Sequence, residues 1–396
     1  MKFLRDFNFK DKKVLLRADF NVPIGNDGKV DGQEDWRIQA TLPTINYLLG
    51  QGAKIILLAH LGRPNGQIHN GFHLEPIAQR LEELLNKKIN KLNDCRGERV
   101  KKEIDRMKSG EIILLENLRF YSEEEKNNVQ FARELASLGE IYVNDAFGVN
   151  HRAHASLVGI PQYLPSCAGL LLEKEISVLS QVLERLERPL LVVIGGVKIS
   201  TKIKFIKEFL RRADNLILGG ALANTVIAAK GLAIGQSVVE EEMIEETQKL
   251  DLTNTRLHLP VDVVVSVDKS GQAESRIAPV GNTKEKEMIL DIGPESNNLF
   301  HQIISNAKTI IWNGPMGLFE VEAFASGSRF IAQAIAESPA FSVVGGGDSV
   351  VLLEEMGLFN KIDHVSTGGG AMLKFLAGEK LPGIEALETC NIKHVT

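Results

Sequence analysis

The chain has 396 residues, 44% of them hydrophobic and 24% charged, with a formal net charge of -5. That length suits two domains, the balance is that of an ordinary globular protein, and the acidic excess argues against a general binder of nucleic acid or anionic membrane. No apolar stretch approaches the ~20 residues of a membrane-spanning helix.

The opening MKFLRDFNFKDKK alternates charged and apolar residues and lacks the apolar core of a secretory leader. Cys95, Cys167 and Cys390 are isolated and odd in number, which gives no zinc or disulfide framework and fits a reducing compartment. A cytoplasmic protein is expected.

From there one theme repeats. Short apolar runs recur as VLLRADF (14–20), KIILLAH (54–60), EIILLENL (111–118), IYVNDAF (141–147), LLVVIGG (190–196), NLILGG (215–220), VDVVV (261–265), TIIWNGP (309–315), FSVVGGG (341–347) and HVSTGGG (364–370). Amphipathic stretches such as PIAQRLEELLNKK (76–88), VQFARELASL (129–138) and SRFIAQAIAES (328–338) separate most of them. Continuous apolar strands alternating with helices predict parallel sheets covered on both faces. The fold class is therefore α/β, with two doubly wound, Rossmann-like domains. Between the two groups of strands, LLLEKEISVLSQVLERLER (170–188) predicts a long connecting helix that stops before Pro189 at a hinge. The expected boundaries are 1–170 for the first domain, 171–188 for the connecting helix and 189–377 for the second domain.

Ligands of open parallel sheets bind beyond the carboxyl ends of the strands. In the first half those ends carry Asp19 and Asn21 in ADFNVP, His60 and Arg63 in AHLGRP, Arg119 in ENLRF, and His151, Arg152 and His154 in NHRAH; Arg37 opens the next helix pattern in DWRIQATLP. Taken singly, an arginine at a loop usually makes a surface ion pair of little weight. Asp19 and Asn21 suit a bend before Pro23, and the His151 and His154 pair lacks the further ligands of a metal site. Recurrence favours function: several consecutive strands end this way, and convergent arginine forks make an anion pocket for a small, multiply charged substrate.

In the second half the recurring feature is glycine, at Gly219-Gly220, Gly345-Gly346-Gly347 and Gly368-Gly369-Gly370. Glycine permits tight strand-to-helix turns, and it also lets backbone N–H groups at a helix start approach phosphate. None of these turns completes the G-x-G-x-x-G dinucleotide fingerprint. The stretch VVIGGVKISTK (192–202) also departs from the contiguous Gly-Lys-Ser/Thr phosphate loop, yet it sets Lys198 and Lys202 four residues apart, on one face if helical. Asp348 suits either a helix N-cap or the Mg2+ of a bound nucleotide. An anion pocket in one half and a phosphate-binding edge in the other fit phosphoryl transfer between an acid and a nucleotide. A carboxylate acceptor is already ionised and needs no general base. The alternatives are a non-catalytic two-domain anion-binding protein and an NAD-dependent dehydrogenase.

RADFNVP (17–23), HLGRP (60–64), ENLRF (116–120), HRAHAS (151–156), GGVKISTK (195–202), WNGPMGLFE (312–320), GGGDS (345–349) and STGGGAMLKFLAGEKLPGI (366–384) together resemble the phosphoglycerate kinase family over essentially the whole chain. The resemblance implies a glycolytic kinase, cytoplasmic and monomeric, that uses Mg2+ with ATP or ADP and has no nucleic-acid or membrane partner. It implies that Asp19, Phe20, Asn21, Arg37, His60, Leu61, Gly62, Arg63, Arg119 and Arg152 hold 3-phosphoglycerate or 1,3-bisphosphoglycerate. Lys198, Lys202, Gly219, Gly220, Asn313, Glu320, Gly346, Gly347, Asp348 and Ser349 would hold the nucleotide, with Asp348 on Mg2+. Arg37, Lys198, Lys202, Gly346 and Gly369 would attend the transfer itself, helped by the backbone at Gly370. Residues 378–396 are expected to return to the first domain. The chain departs from many members at Ala59, Val197, Thr201 and Ser349; Thr201 removes an acidic residue directly before Lys202.

Overall fold

The computed structural model describes residues 1–32 and 35–393. The chain divides into two compact units, one formed by Met1–Leu179 with the segment from Gly378 onward, the other by Ser180–Ala377.

The first unit is built on six parallel strands, β1 (Lys13–Arg17), β2 (Lys54–Leu58), β3 (Asn90–Lys91), β4 (Ile112–Leu114), β5 (Ile141–Asn144) and β6 (Ser166–Ala168). Their order is β3-β4-β2-β1-β5-β6. The branched and leucine side chains of β1, β2 and β4 are buried on both faces, and Val14, Leu16, Ile55, Leu57, Ile112 and Leu114 share one core with the flanking helices. The consequence for the site is positional. The four strands that end in charged residues lie side by side as β4-β2-β1-β5, in a register that pairs Arg17 with Leu58 and with Asn144.

The helix Leu170–Glu184 follows β6, and Asp145 Oδ1 accepts the Leu171 and Leu172 N–H groups at 2.9 and 3.1 Å. It ends about one turn before the expected Arg188. The residues ahead of Pro189 are drawn into the second unit instead: Thr309 Oγ1 donates to the Glu187 carbonyl at 2.9 Å, and Arg188 Nη1 meets Asp214 Oδ2 at 2.8 Å.

The second unit holds β7 (Leu190–Ile194), β8 (Asn215–Leu218), β9 (Leu257–His258), β10 (Asp262–Ser266), β11 (Ser275–Pro279), β12 (Met288–Ile292), β13 (Thr309–Asn313), β14 (Phe341–Gly345) and β15 (His364–Ser366). Six of them form a parallel sheet in the order β15-β14-β13-β7-β8-β9. β7 and β13 are buried at every residue and form the centre. The run VDVVV does not join this sheet. It becomes β10, the middle of a separate three-stranded antiparallel sheet ordered β11-β10-β12. The reason lies in the connection: the short polar turn after Ser266 suffices for an antiparallel return, whereas a parallel partner requires a longer crossover.

The helix Pro382–Lys393 packs on β6 and on residues 155–162 of the first unit, and the Gly383 N–H donates to the Asn150 carbonyl at 3.0 Å. Residues 394–396 of the expected returning segment lie outside the described residues. Among the described residues no helix is long and apolar enough to cross a membrane.

Candidate active site

In the first unit the strand ends converge on one another. Asn21, just past β1, lies between neighbouring elements: its Oδ1 accepts the Gly62 N–H at 2.7 Å, and its carbonyl accepts from Arg37 Nη1 at 2.7 Å. Arg119 Nη1 donates to the Gly62 carbonyl at 2.8 Å, and its Nε lies 3.5 Å from Glu125. His60 Nδ1 lies 3.2 Å from Arg17 Nη2 and 3.9 Å from Asp19 Oδ1. Burial, then the nearby charges of Arg17, Arg119, His154 and Arg37, holds His60 well below the ordinary histidine pKa. Burial and the charges of Arg119, Arg17 and Arg152 take His154 down to about 3. Burial, with Arg17 and Arg152 beside it, lowers Arg119 to about 10. These shifts describe a pocket rich in positive charge whose histidines stay neutral. It is suited to an anion with several charges.

Two residues of this region were not foreseen. Arg17 and Glu124 are fully buried and are linked through Ser156. Arg17 Nε donates to Ser156 Oγ at 2.9 Å, the Ser156 hydroxyl donates to Glu124 Oε1 at 2.5 Å, and the Ser156 N–H donates to Glu124 Oε2 at 2.9 Å. Arg17 Nη1 also donates to the Ala18 carbonyl. An arginine inside the apolar run VLLRADF was a visible signal. Glu124, within the acidic run SEEEK, looked like solvated surface and gave none.

Other expected residues sit differently. Phe20 and Leu61 belong to the core, so a ligand meets only their backbone. Arg63 is exposed and makes no hydrogen bond or ion pair among the described residues. Arg152 is half-buried, and its charge acts on Arg119 and His154.

In the second unit the glycine turns form a continuous edge. The helices Gly220–Ala229, Gly347–Glu355 and Gly369–Leu376 begin there, and none has a side-chain cap. None of their first N–H groups meets a capping side chain, although at the first helix the Gly220 and Leu222 N–H groups donate to the Met316 and Gly196 carbonyls at 2.8 and 2.9 Å. Gly346 has φ +112°, and a Cβ on it would lie 2.7 Å from Asn313 Nδ2; a Cβ on Gly369 would lie 2.6 Å from the Gly346 Cα. Only glycine fits where these two turns meet. Asn313 Nδ2 donates to the Gly345 carbonyl at 2.5 Å, and Ser349 Oγ accepts the Gly314 N–H at 2.8 Å. Ser349 is buried with its hydroxyl engaged, which leaves its backbone for a ligand.

Lys202 lies beside this edge, with Nζ donating to the Gly195 carbonyl at 2.6 Å. Burial lowers its pKa to about 8 against the opposing pull of Asp348. Lys198 is exposed, and Thr201 Oγ1 donates to its carbonyl at 3.0 Å, bracing the turn between the lysines. A cavity of about 250 Å³ opens beside them, with Val238, Ile289, Met316 and Leu318 in its apolar wall and Glu320 and Asp348 among its acidic groups. Gly219 packs against Met316, whose Sδ would lie 2.4 Å from a Cβ there and would have to move for any larger residue. In the cavity wall, Asp291 accepts the Gly327 and Ile292 N–H groups at 2.7 and 2.9 Å, and burial pushes its carboxyl up to about 7. An apolar slot ending in uncapped helix starts and lysines can seat a base at one end and phosphates at the other.

A family model described as Phosphoglycerate kinase matches residues 4–379. The chain belongs to the phosphoglycerate kinase family. It is 47% identical over 388 residues to the phosphoglycerate kinase of Moorella thermoacetica (97% of this chain, 98% of that protein). It is 48% identical over 390 residues to that of Dictyoglomus turgidum (97% and 98%). Among solved structures it resembles the phosphoglycerate kinase of Coxiella burnetii, with a TM-score of 0.81 at 40% identity over 98% of each chain. It also resembles that of Pyrococcus horikoshii OT3, with a TM-score of 0.88 at 36% identity, covering 99% of this chain and 100% of the other. Members of the family are phosphotransferases with a carboxyl acceptor, and their reaction is a step of glycolysis.

Proposed function

We propose that this chain transfers the γ-phosphoryl group of ATP directly to the carboxylate of 3-phosphoglycerate, and returns it from 1,3-bisphosphoglycerate to ADP. The observation that carries this reading is the half-buried Lys202 ammonium set beside uncapped helix starts. It is a site with positive charge and N–H donors but no nucleophile of its own. A carboxylate oxygen of 3-phosphoglycerate attacks the γ-phosphorus as the bond to the β–γ bridging oxygen breaks. ADP leaves, and no proton has to move.

Arg37, Arg119, Arg152 and His60 are assigned to the acid and its phosphate, together with Asp19, Asn21 and the Gly62 backbone. Arg63 is assigned to the outer rim of that pocket. Lys198 and Lys202, with the N–H groups at Gly346, Gly347, Gly369 and Gly370, are assigned to the charge that develops on the moving group. Glu320 is assigned to the ribose, and Gly219, Gly220 and Asn313 border the nucleotide. No group of three or more His, Cys, Asp or Glu among the described residues is arranged to hold a metal ion. Asp348 is exposed in the first turn of Gly347–Glu355. A single carboxylate beside phosphates suits Mg2+ that arrives with the nucleotide. When bound, that ion neutralises phosphate charge. We take the enzyme to be a cytoplasmic monomer.

The two ligand sets lie on separate units, so transfer requires the units to bring them together and exclude water. Hydroxylamine trapping tests the chemistry. With ATP, Mg2+ and 3-phosphoglycerate, hydroxylamine should displace phosphate from the acyl phosphate formed and give the hydroxamate of 3-phosphoglycerate, and its absence would remove the reading. Small-angle scattering tests closure, since an unchanged radius with both substrates bound would contradict it.

A further inference from the structure

The stretch carrying both lysines turns helical before the regular helix Ile203–Arg212 begins. The Ile199 carbonyl accepts from Lys202 N at 2.8 Å and from Ile203 N at 2.7 Å, so residues 200–202 make a first turn. Such a start leaves outward N–H groups and favours an anion. Here the anion is internal. Glu240 Oε2 accepts the Ser200 N–H at 2.8 Å, and Glu240 Oε1 accepts the Ser200 hydroxyl at 2.6 Å. Against the effect of burial, the Ser200 bonds, with the Ile199 N–H and the Lys198 charge also acting on this carboxylate, hold its pKa below the ordinary glutamate value. Glu240 is also anchored from behind, since its N–H donates at 3.2 Å to Oγ1 of the fully buried Thr225. Thr225 lies in the helix that begins at Gly220, on the glycine edge.

We infer that Glu240 is a positioning residue for phosphoryl transfer: its carboxylate fills the helix start between Lys198 and Lys202, fixing the backbone from which both lysines reach. The inference rests on the function proposed above. It also explains why GGVKISTK lacks the contiguous phosphate loop. The Ser200 N–H, which would face a phosphate there, is already bonded to Glu240. The phosphates are left to the uncapped starts at Gly347 and Gly369, and the lysines serve as side-chain donors.

Two conservative variants separate position from charge. Glu240→Gln keeps an acceptor for the Ser200 N–H and a donor for its hydroxyl but removes the charge. Glu240→Asp keeps the charge and loses one methylene of reach. The expected result is a nucleotide KM within about twofold of wild type for Glu240→Gln. Glu240→Asp should raise it about tenfold and lower kcat, the scale of a lost charge-assisted hydrogen bond. The KM for 3-phosphoglycerate should not move in either. If Glu240→Asp matches wild type, if Glu240→Gln is as impaired as Glu240→Asp, or if both substrate KM values rise together, the assignment is wrong. Should Glu240→Asp not fold, Ser200→Ala takes its place, with an expected rise of about threefold. ADP titration by calorimetry without 3-phosphoglycerate distinguishes the two ideas. Missing turnover in wild type would count against the function, whereas unaltered ADP affinity in Glu240→Asp would count against Glu240.

Discussion

Lys202 Nζ donates to the Gly195 carbonyl at 2.6 Å, and the loss of water around this half-buried amine brings its pKa down to about 8. The free protein therefore begins to lose this charge just above neutrality. Nucleotide phosphates favour the charged amine, so binding must raise the pKa and take up a proton when the pH lies near or above 8. Calorimetry of ADP binding at pH 8.5, in two buffers of different ionisation enthalpy, should show net proton uptake, and affinity should fall as pH rises beyond 8. Lys202→Ala should abolish the uptake. No uptake in the wild type would show that Lys202 does not meet the phosphates.

Beneath the arginine pocket, Glu124 is the buried counter-charge joined to Arg17 through Ser156. Removing one partner of a buried charged network leaves the other uncompensated, at a cost of about 3–5 kcal/mol. Glu124→Ala should lower the stability of the first unit by about that amount, and Glu124→Gln by less. Urea unfolding followed through Trp36, in a Trp312→Phe background, reads that unit by itself. Equal stability of Glu124→Ala and wild type would show that the network contributes nothing.

How far the sequence could be read depended on whether a feature was local. The apolar runs that became β1, β2, β7 and β13 are continuous and bounded, so their burial in parallel sheets was legible from residue type alone. VDVVV has the same composition, and its antiparallel sheet was not visible because the partner strands β11 and β12 are irregular and half-exposed. Asp19, Asn21, His60 and Arg119 were legible because each follows an apolar run. Glu124 and Glu240 were not, because each acts on a segment far away in sequence and sits in an acidic stretch that reads as surface.

Asp291 gives a stability test with a defined sign. Burial raises its folded pKa to about 7 from the ordinary 3.8. The folded state thus holds more protons than the unfolded state between about pH 4 and 7. The stabilising contribution is present below pH 4 and is lost as pH rises through 7. Wild type should therefore lose stability relative to Asp291→Asn across that window, measured by urea unfolding at pH 4.5, 6 and 8. A constant difference between the two proteins would contradict the assignment.

The most direct test of the central claim is a coupled assay for ATP-dependent formation of 1,3-bisphosphoglycerate, run with Mg2+, with chelator, and with Lys202→Ala. Wild type should turn over only with the metal present, and Lys202→Ala should lose ~10²–10³-fold in kcat, as expected when a transition-state donor is removed. Turnover that survives the loss of Lys202, or that proceeds undiminished in chelator, would contradict the account.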